Sequence, residues 1–297
     1  MTEFTKKAVP GLAACLAFVF SALAQPADMA HWWKADGNAN DSAGTSHGTV
    51  AGSVIYAPGR YGQAFNFEGG EVQCGNTAGN FGTGDFTVAF WILNPSQIAA
   101  LEVMSKRSTC NYGSQFDIRG GSGENGANMY FEAYTNSSAS NRMLVFASEL
   151  LNDRWHHIVY RRKGTSATAA RDGIVISSVT TSGVTNINNT AQLRFAGGPC
   201  VGFDGTIRFT GLLDDIRFYD RYLTDAELRT FACATDMNGD LLVDDSDFSM
   251  FIVQYDVLAC SDPAMPLGCI ADFNQDGQVD DTDFVIFVGE YDQLICP

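Results

Sequence analysis

Phe86-Thr87-Val88-Ala89-Phe90-Trp91-Ile92 decides the fold of most of this chain. Phe86, Val88, Phe90 and Ile92 alternate with Thr87, Ala89 and Trp91. Side chains of a strand point to opposite faces in turn, so one face of this segment is wholly apolar. The device recurs in short pieces on either side. Gln115 to Ile118, Met129 to Tyr134, Arg142 to Phe146, Trp155 to Tyr160, Gly173 to Ser177, Leu193 to Phe195 and Thr206 to Phe209 read as strands between stretches rich in Gly, Ser and Thr. Asp172-Gly173 is a tight hairpin signal. Many short strands with such turns mean a sandwich or a jelly roll, and the roughly 205 residues from 28 to 232 are ample for one core of two sheets. One helix is legible: Thr224-Asp225-Ala226-Glu227 is a capping box that closes this region.

A second pattern begins where the first ends. Asp236 to Cys260 (DMNGDLLVDDSDFSMFIVQYDVLAC) and Asp272 to Cys296 (DFNQDGQVDDTDFVIFVGEYDQLIC) align without a gap at an offset of 36 residues, with 13 of 25 positions identical. Each copy opens on a twelve-residue loop with oxygen side chains at positions 1, 3, 5, 9 and 12. These are Asp236, Asn238, Asp240, Asp244 and Asp247 in the first loop, and Asp272, Asn274, Asp276, Asp280 and Asp283 in the second. With the position-7 carbonyls of Leu242 and Gln278, this spacing supplies the oxygen ligands that calcium takes. Position 12 is Asp, which reaches less far than the usual Glu. Position 6 wants glycine for its sharp turn: the second loop has Gly277, the first has Leu241. A side chain in a left-handed turn costs roughly 1–2 kcal/mol, so the first site is expected to be the weaker. Behind the loops, Phe248, Phe251, Ile252 and Tyr255, and Phe284, Phe287, Val288 and Tyr291, fall at i, i+3, i+4 and i+7. They predict two helices, each too short to stand alone, packed on one another.

The formal charge of −16 is concentrated in this repeat, because residues 233–297 hold 13 Asp, one Glu and no Lys or Arg. The remainder balances 18 basic against 20 acidic residues, so no basic patch points to nucleic acid and the acidic end would repel it. Lys6 and Lys7, the apolar run from Ala8 to Ala24 and the small residues of Ala22-Leu23-Ala24 read as a secretory signal over residues 1–24. Leu12-Ala13-Ala14-Cys15 is a rival lipoprotein box. No later segment reaches the ~20 apolar residues of a membrane span. Export makes disulfides expected. Cys110 is expected to pair with Cys200, leaving Cys74 free. The other four pair among themselves, either within each copy (Cys233–Cys260, Cys269–Cys296) or between copies (Cys233–Cys296, Cys260–Cys269).

Three stretches, in this order, resemble a laminin-G-like, concanavalin A-like jelly roll. They are Trp32-Trp33-Lys34-Ala35-Asp36-Gly37 with Asp41-Ser42-Ala43-Gly44; Trp155-His156-His157-Ile158-Val159 followed by Asp172-Gly173; and Gly211-Leu212-Leu213-Asp214-Asp215-Ile216-Arg217-Phe218-Tyr219 with Arg221, Leu223 and Glu227. The resemblance implies a domain over residues 28–232 that binds a glycan or a cell-surface protein and carries one structural calcium. Asp214 shares the parity of Ile216 and Phe218, so it is expected to point inward, where a carboxylate needs a partner. That partner is either a calcium shared with Asp41 or Asp36, or nearby backbone N–H groups. Residues 233–297 resemble a dockerin module. This implies docking onto a cohesin-like protein through loop positions 10 and 11, here Asp245, Ser246, Asp281 and Thr282. The expected architecture is mainly β: a concanavalin A-like jelly-roll β-sandwich, then a small C-terminal α module of two calcium loop-helix repeats over 233–297.

Some jelly rolls of this kind are glucanases, which present paired acids as ExDxE from one strand. None of Glu68, Glu71, Glu102, Glu124, Glu132, Glu149 and Glu227 lies in such a pattern, and Glu68 and Glu71 flank Gly69-Gly70 as if on a turn. His31 and His47 are isolated, adjacent His156 and His157 face opposite sides of a strand, and no Ser sits in G-x-S-x-G. The leading reading is therefore a secreted non-catalytic binding protein. The alternatives are a polysaccharide-degrading glycoside hydrolase with a divergent acid pair, and a tail that merely caps the jelly roll.

Overall fold

The computed structural model describes residues 28–93, 101–111, 113–121, 128–135, 142–148, 150, 155–203, 205–238, 242–266, 269–274 and 276–291. The expected signal segment, Glu124, Glu149, Asp240, Leu241 and Cys296 lie outside these residues.

The chain lays down short strands first: β1 (His31–Trp33), β2 (Thr49–Ala51), β3 (Val54–Pro58), β4 (Gln63–Phe67), β5 (Glu71–Gln73), β6 (Phe86–Leu93), β7 (Leu101–Lys106) and β8 (Gln115–Gly121). It continues with β9 (Asn128–Tyr134), β10 (Met143–Ala147), β11 (His156–Lys163), β12 (Ser166–Arg171), β13 (Ile174–Thr180), β14 (Leu193–Phe195), β15 (Ile207–Arg208) and β16 (Gly211–Tyr219). The helices α1 (Asp225–Ala232), α2 (Asp245–Tyr255) and α3 (Asp281–Tyr291) follow. Two sheets form. The first runs β13-β12-β11-β6-β16-β4-β3, with β1 also on β16; the second runs β10-β9-β8-β7-β14-β5-β2, with β15 alongside β7 in parallel. The expected sandwich of two largely antiparallel sheets is therefore present.

The apolar face of β6 behaves as its alternation demands: Phe86, Val88, Phe90 and Ile92 all enter the core between the sheets. Its other face is buried as well. Ala89 belongs to a second cluster with Val159, Ala170, Tyr219, Leu223, Leu228 and Phe231, because α1 folds back over the outside of the first sheet. The Thr224–Glu227 capping box that starts α1 is formed in both directions. Cys110 is bonded to Cys200, and Cys74 is a buried free thiol, as expected.

Two expectations need correction. Leu213 and Ile216 both belong to the inter-sheet core, which unbroken alternation would forbid. The pairing of β16 with β6 shifts register between Asp214 and Arg217, and Asp215 takes a positive φ of 52°. This bulge resets the parity, so Asp214 is buried on the outer side of the sheet rather than between the sheets. Glu71 is not a turn residue. Gly69, at φ 110°, makes the turn, and Glu71 opens β5 with its carboxylate on Arg208.

The duplicated segment forms its own small core of Met237, Val243, Phe251, Ala271, Phe273, Val279 and Phe287. The helices pack as predicted, Phe251 against Phe287. Cys260 bonds Cys269, which selects pairing between copies over pairing within them; Cys233 is also disulfide-bonded.

Candidate functional site

A narrow cleft opens where the C-terminal module meets the outer face of the first sheet. It is lined by Trp32, Lys34, Asp36, Tyr61, Asp214, Asp215 and Arg217 from the sandwich and by Phe273 and Asn274 from the second loop. Trp32 and Arg217 are cross-strand partners, and the Arg217 guanidinium lies over the Trp32 ring. Asp215 is spent on this pair: its Oδ1 accepts from Trp32 Nε1 at 2.5 Å and from Arg217 Nε at 3.0 Å. Asp214 is different. It is fully buried, and its Oδ2 accepts the Tyr61 N–H at 2.9 Å. Its Oδ1 has no hydrogen-bond partner among the described residues. Burial, and then the neighbouring Asp215 charge, push its pKa well up. Asp36 reaches the start of β4, accepting the Gln63 N–H at 2.8 Å, and burial raises its pKa too. A buried carboxylate oxygen without a donor, beside a second carboxylate, fits a hard cation.

Asp41, the other expected ligand, does not line this cleft. Its carboxylate accepts His31 Nδ1 at 2.6 Å and the N–H groups of Trp32, Gly44 and Ser46 at 2.8 to 2.9 Å. Burial works to raise its pKa, but these donors outweigh it and hold it below the usual value. It organises the turn after β1.

Among the described residues, the two loops share the hydrogen bonds of their position-12 carboxylates. Asp247 Oδ1 accepts the N–H groups of Met237 and Asn238 at 2.8 and 3.0 Å, and its Oδ2 accepts that of Asp244 at 3.0 Å. Asp283 does the same with Phe273, Asn274 and Asp280 at 2.7, 3.1 and 3.0 Å. Both position-12 carboxylates are fully buried, and burial pushes Asp283 up to about 6. In the second loop Asp272 accepts the N–H groups of Asp276 and Gly277, Gly277 takes φ 92°, and Asp276 stays exposed. Asp236 is buried in the first loop and Asp244 caps α2. The backbone of Gln278 bridges Ala259, while Leu242 is exposed. The docking candidates Asp245, Ser246, Asp281 and Thr282 are all exposed at the helix starts. The Tyr255 hydroxyl donates to Asp281 and the Tyr291 hydroxyl to Asp245, each at 2.5 Å. These pairs are counterparts across the repeat, so the module has an approximate internal two-fold axis.

Two clusters were not singled out from sequence. Arg60 of the β3–β4 loop makes an ion pair with Glu290 of α3, and its guanidinium lies 4.7 Å from the centre of the Trp91 ring. The signal was present in the repeat alignment, where Glu290 faces Gln254. The second cluster is an acid pair on the outer face of the second sheet. Glu102 and Asp117 have carboxylate oxygens within 4.8 Å of each other and of Cys200 Sγ, and all three residues are fully buried. Asp117 is held by Arg107 and by Ser105 Oγ, while Arg119 Nε lies 3.4 Å from Glu102. Burial, then the Asp117 charge, raise Glu102 to about 7. The segment after β14, pinned by Cys110–Cys200, lies directly on this pair: a Cβ on Gly198 would come within 2.6 Å of Glu102 Oε1.

The two packed sheets define a jelly roll of the lectin-like kind. The family described as the concanavalin A-like lectin/glucanases superfamily (Laminin_G_3) matches residues 67–229, more than half of the sequence, and the chain belongs to it. Among solved structures, domain 4 of AbnA, a GH43 extracellular arabinanase from Geobacillus stearothermophilus in complex with arabinotriose, is similar over 69% of this chain and 98% of that one. Its identity is 16% and its TM-score 0.55. The binding domain of Paraclostridial Mosquitocidal Protein 1 is similar at 17% identity and a TM-score of 0.53, covering 69% of this chain. The binding domain of Botulinum Neurotoxin serotype G gives 14% identity and a TM-score of 0.53 over 72% of this chain. The match spans about half of each toxin chain, 51% and 55%. No curated protein matches. Among the described residues no helix is long and apolar enough to cross a membrane.

Proposed function

We propose that this chain is a secreted, non-catalytic binding protein. Its jelly roll engages a glycan or a cell-surface protein, and its C-terminal module is a dockerin-like unit that takes up calcium and recruits a cohesin-like partner. The observation that carries the non-catalytic reading is the burial of the Glu102 and Asp117 acid pair on the outer face of the second sheet. Hydrolysis needs both acids at the sugar, and here Gly198 and a disulfide lie over them. The arabinanase domain in complex with arabinotriose, and the toxin binding domains, support a jelly roll that binds. The matched hydrogen bonds of Asp247 and Asp283, the glycine at position 6 of the second loop and the concentration of aspartates support calcium in the module. The orphaned Asp214 oxygen supports a further cation held with Asp36.

A specific observation favours the hydrolase alternative. A Glu at about 7 beside a second carboxylate is what a general acid requires, and it would act if the covering segment lifted. One glycan panel separates the readings. Retention of a sugar without release of products supports binding. Product release that Glu102→Gln abolishes overturns it. Calorimetry of the full chain with calcium tests the ions: Asp276→Ala and Asp214→Asn are each expected to remove one, and uptake unchanged in both variants rejects these sites. Capture of a purified cohesin panel only in calcium tests the partner.

A further inference from the structure

The approximate two-fold axis gives the C-terminal module two equivalent sides, and the two repeats treat them differently. Gln254 and Glu290 are counterparts at the ends of α2 and α3. Gln254 Oε1 accepts the Ala271 N–H at 3.0 Å, and Glu290 Oε2 accepts the hydroxyl of Thr235, the residue that corresponds to Ala271. The same positions thus meet in both repeats, through a backbone N–H in one and a hydroxyl in the other. Glu290 then adds what an amide cannot, a charge, and Arg60 of the jelly roll answers it. The Glu290 side chain is only 6% exposed and that of Arg60 20%, so the pair is largely removed from water. Arg60 is held from behind by Trp91 and Tyr61. Beside the pair, Phe273 and Asn274 of the second loop close the cleft over Asp36 and Asp214.

From this we infer that the second repeat is an intramolecular docking element: it has diverged from the first at Glu290 to seat the module on the β3–β4 loop of its own jelly roll. The module is therefore a fixed part of a two-domain unit and not an arm on a flexible tether. This goes beyond the proposed function, because it holds whatever the jelly roll binds and whichever partner the module recruits.

The test is amide hydrogen exchange on the full chain in saturating calcium, read at residues 59–63 and across α3, with small-angle scattering on the same samples. Glu290→Gln gives the second repeat the residue of the first. It is expected to speed exchange at residues 59–63 at least tenfold and to increase the radius of gyration, while exchange in α2 stays at the wild-type rate. Arg60→Met breaks the same pair from the other side without touching the module, and is expected to loosen α3 to the same degree. Gln254→Glu adds a charge where no arginine waits and should leave residues 59–63 unchanged. Wild-type exchange and dimensions in both Glu290→Gln and Arg60→Met would overturn the inference. So would loss of protection in α2 together with α3 in Arg60→Met, since the contact would then serve module folding and not docking.

Discussion

Phe251 of α2 and Phe287 of α3 stack with ring centroids 5.3 Å apart and planes 27° apart, and each is the counterpart of the other across the 36-residue repeat. The contact therefore sits on the axis that relates the two halves, and both rings are buried. Neither eleven-residue helix would persist alone. Phe251→Ala or Phe287→Ala is expected to cost about 3–5 kcal/mol. The module should lose its helical signal in denaturant well before the sandwich unfolds. Phe248→Ala, at a ring 36% exposed, is expected to cost no more than about 1–2 kcal/mol. Equal losses for all three in denaturation followed by circular dichroism would mean that the axis is not where the module is held together.

Glu102 gives the sandwich a pH dependence opposite to that of an ordinary ion-paired carboxylate. Burial and Asp117 raise it to about 7 from 4.5. Between those values the folded chain keeps a proton that the unfolded chain has released. The stabilisation is thus fully present below about pH 4.5 and is lost as the pH rises through about 7, on the order of 3 kcal/mol. Glu102→Gln should remove that slope, exceeding the wild type in stability at pH 8 and matching it near pH 4.5. Urea melts at four pH values decide this; parallel slopes for the two proteins would contradict it.

Cys110–Cys200 closes a loop with a sequence separation of 90 residues and pins the segment over the acid pair. Cys110→Ser with Cys200→Ser is expected to cost about 2–4 kcal/mol and to raise exchange at residues 196–203 before the rest of the second sheet. If guanidinium melts place the double variant within error of the wild type, the bridge has no stabilising part.

Asp214→Asn separates the cation reading of the cleft from simple capping. Without calcium the variant should be at least as stable as the wild type, because it removes a buried carboxyl whose ionisation burial penalises and which has one orphaned oxygen. At calcium near 100 times its dissociation constant the wild type should gain about 2.7 kcal/mol and the variant should not share that gain. Thermal melts with and without chelator measure both. Identical calcium responses would remove Asp214 from the ligand set.

Much of this could be read from the chain alone. The alternation in Phe86 to Ile92, the Thr224–Glu227 capping box and the periodic apolar positions of α2 and α3 are local patterns, and they appear in the structure where they were expected. The Cys110–Cys200 pair was expected as well. Parity counting places Asp214 between the sheets because it assumes an unbroken strand. The bulge at Asp214 and Asp215 is set by how β16 meets its neighbours, and its own letters do not announce it. Residue type offers Asp41 or Asp36 as the partner of Asp214, and the Asp41 oxygens are claimed by donors within its own turn.

The sequence by itself determined where the duplication lies, which aspartates fall in its loops, and the elements with a strong local pattern, such as β6, α1, α2 and α3, since these follow from backbone geometry within a few residues; short strands such as β2 to β5, β7 and β12 carry no such pattern. Tertiary structure decided which distant groups meet. Arg60 finds Glu290, Trp32 finds Asp215 and Glu102 finds Asp117 only after sheet order, register and the seating of α3 are fixed. Burial then gives these encounters their weight, because a charge removed from water must find a partner or give up its ionisation.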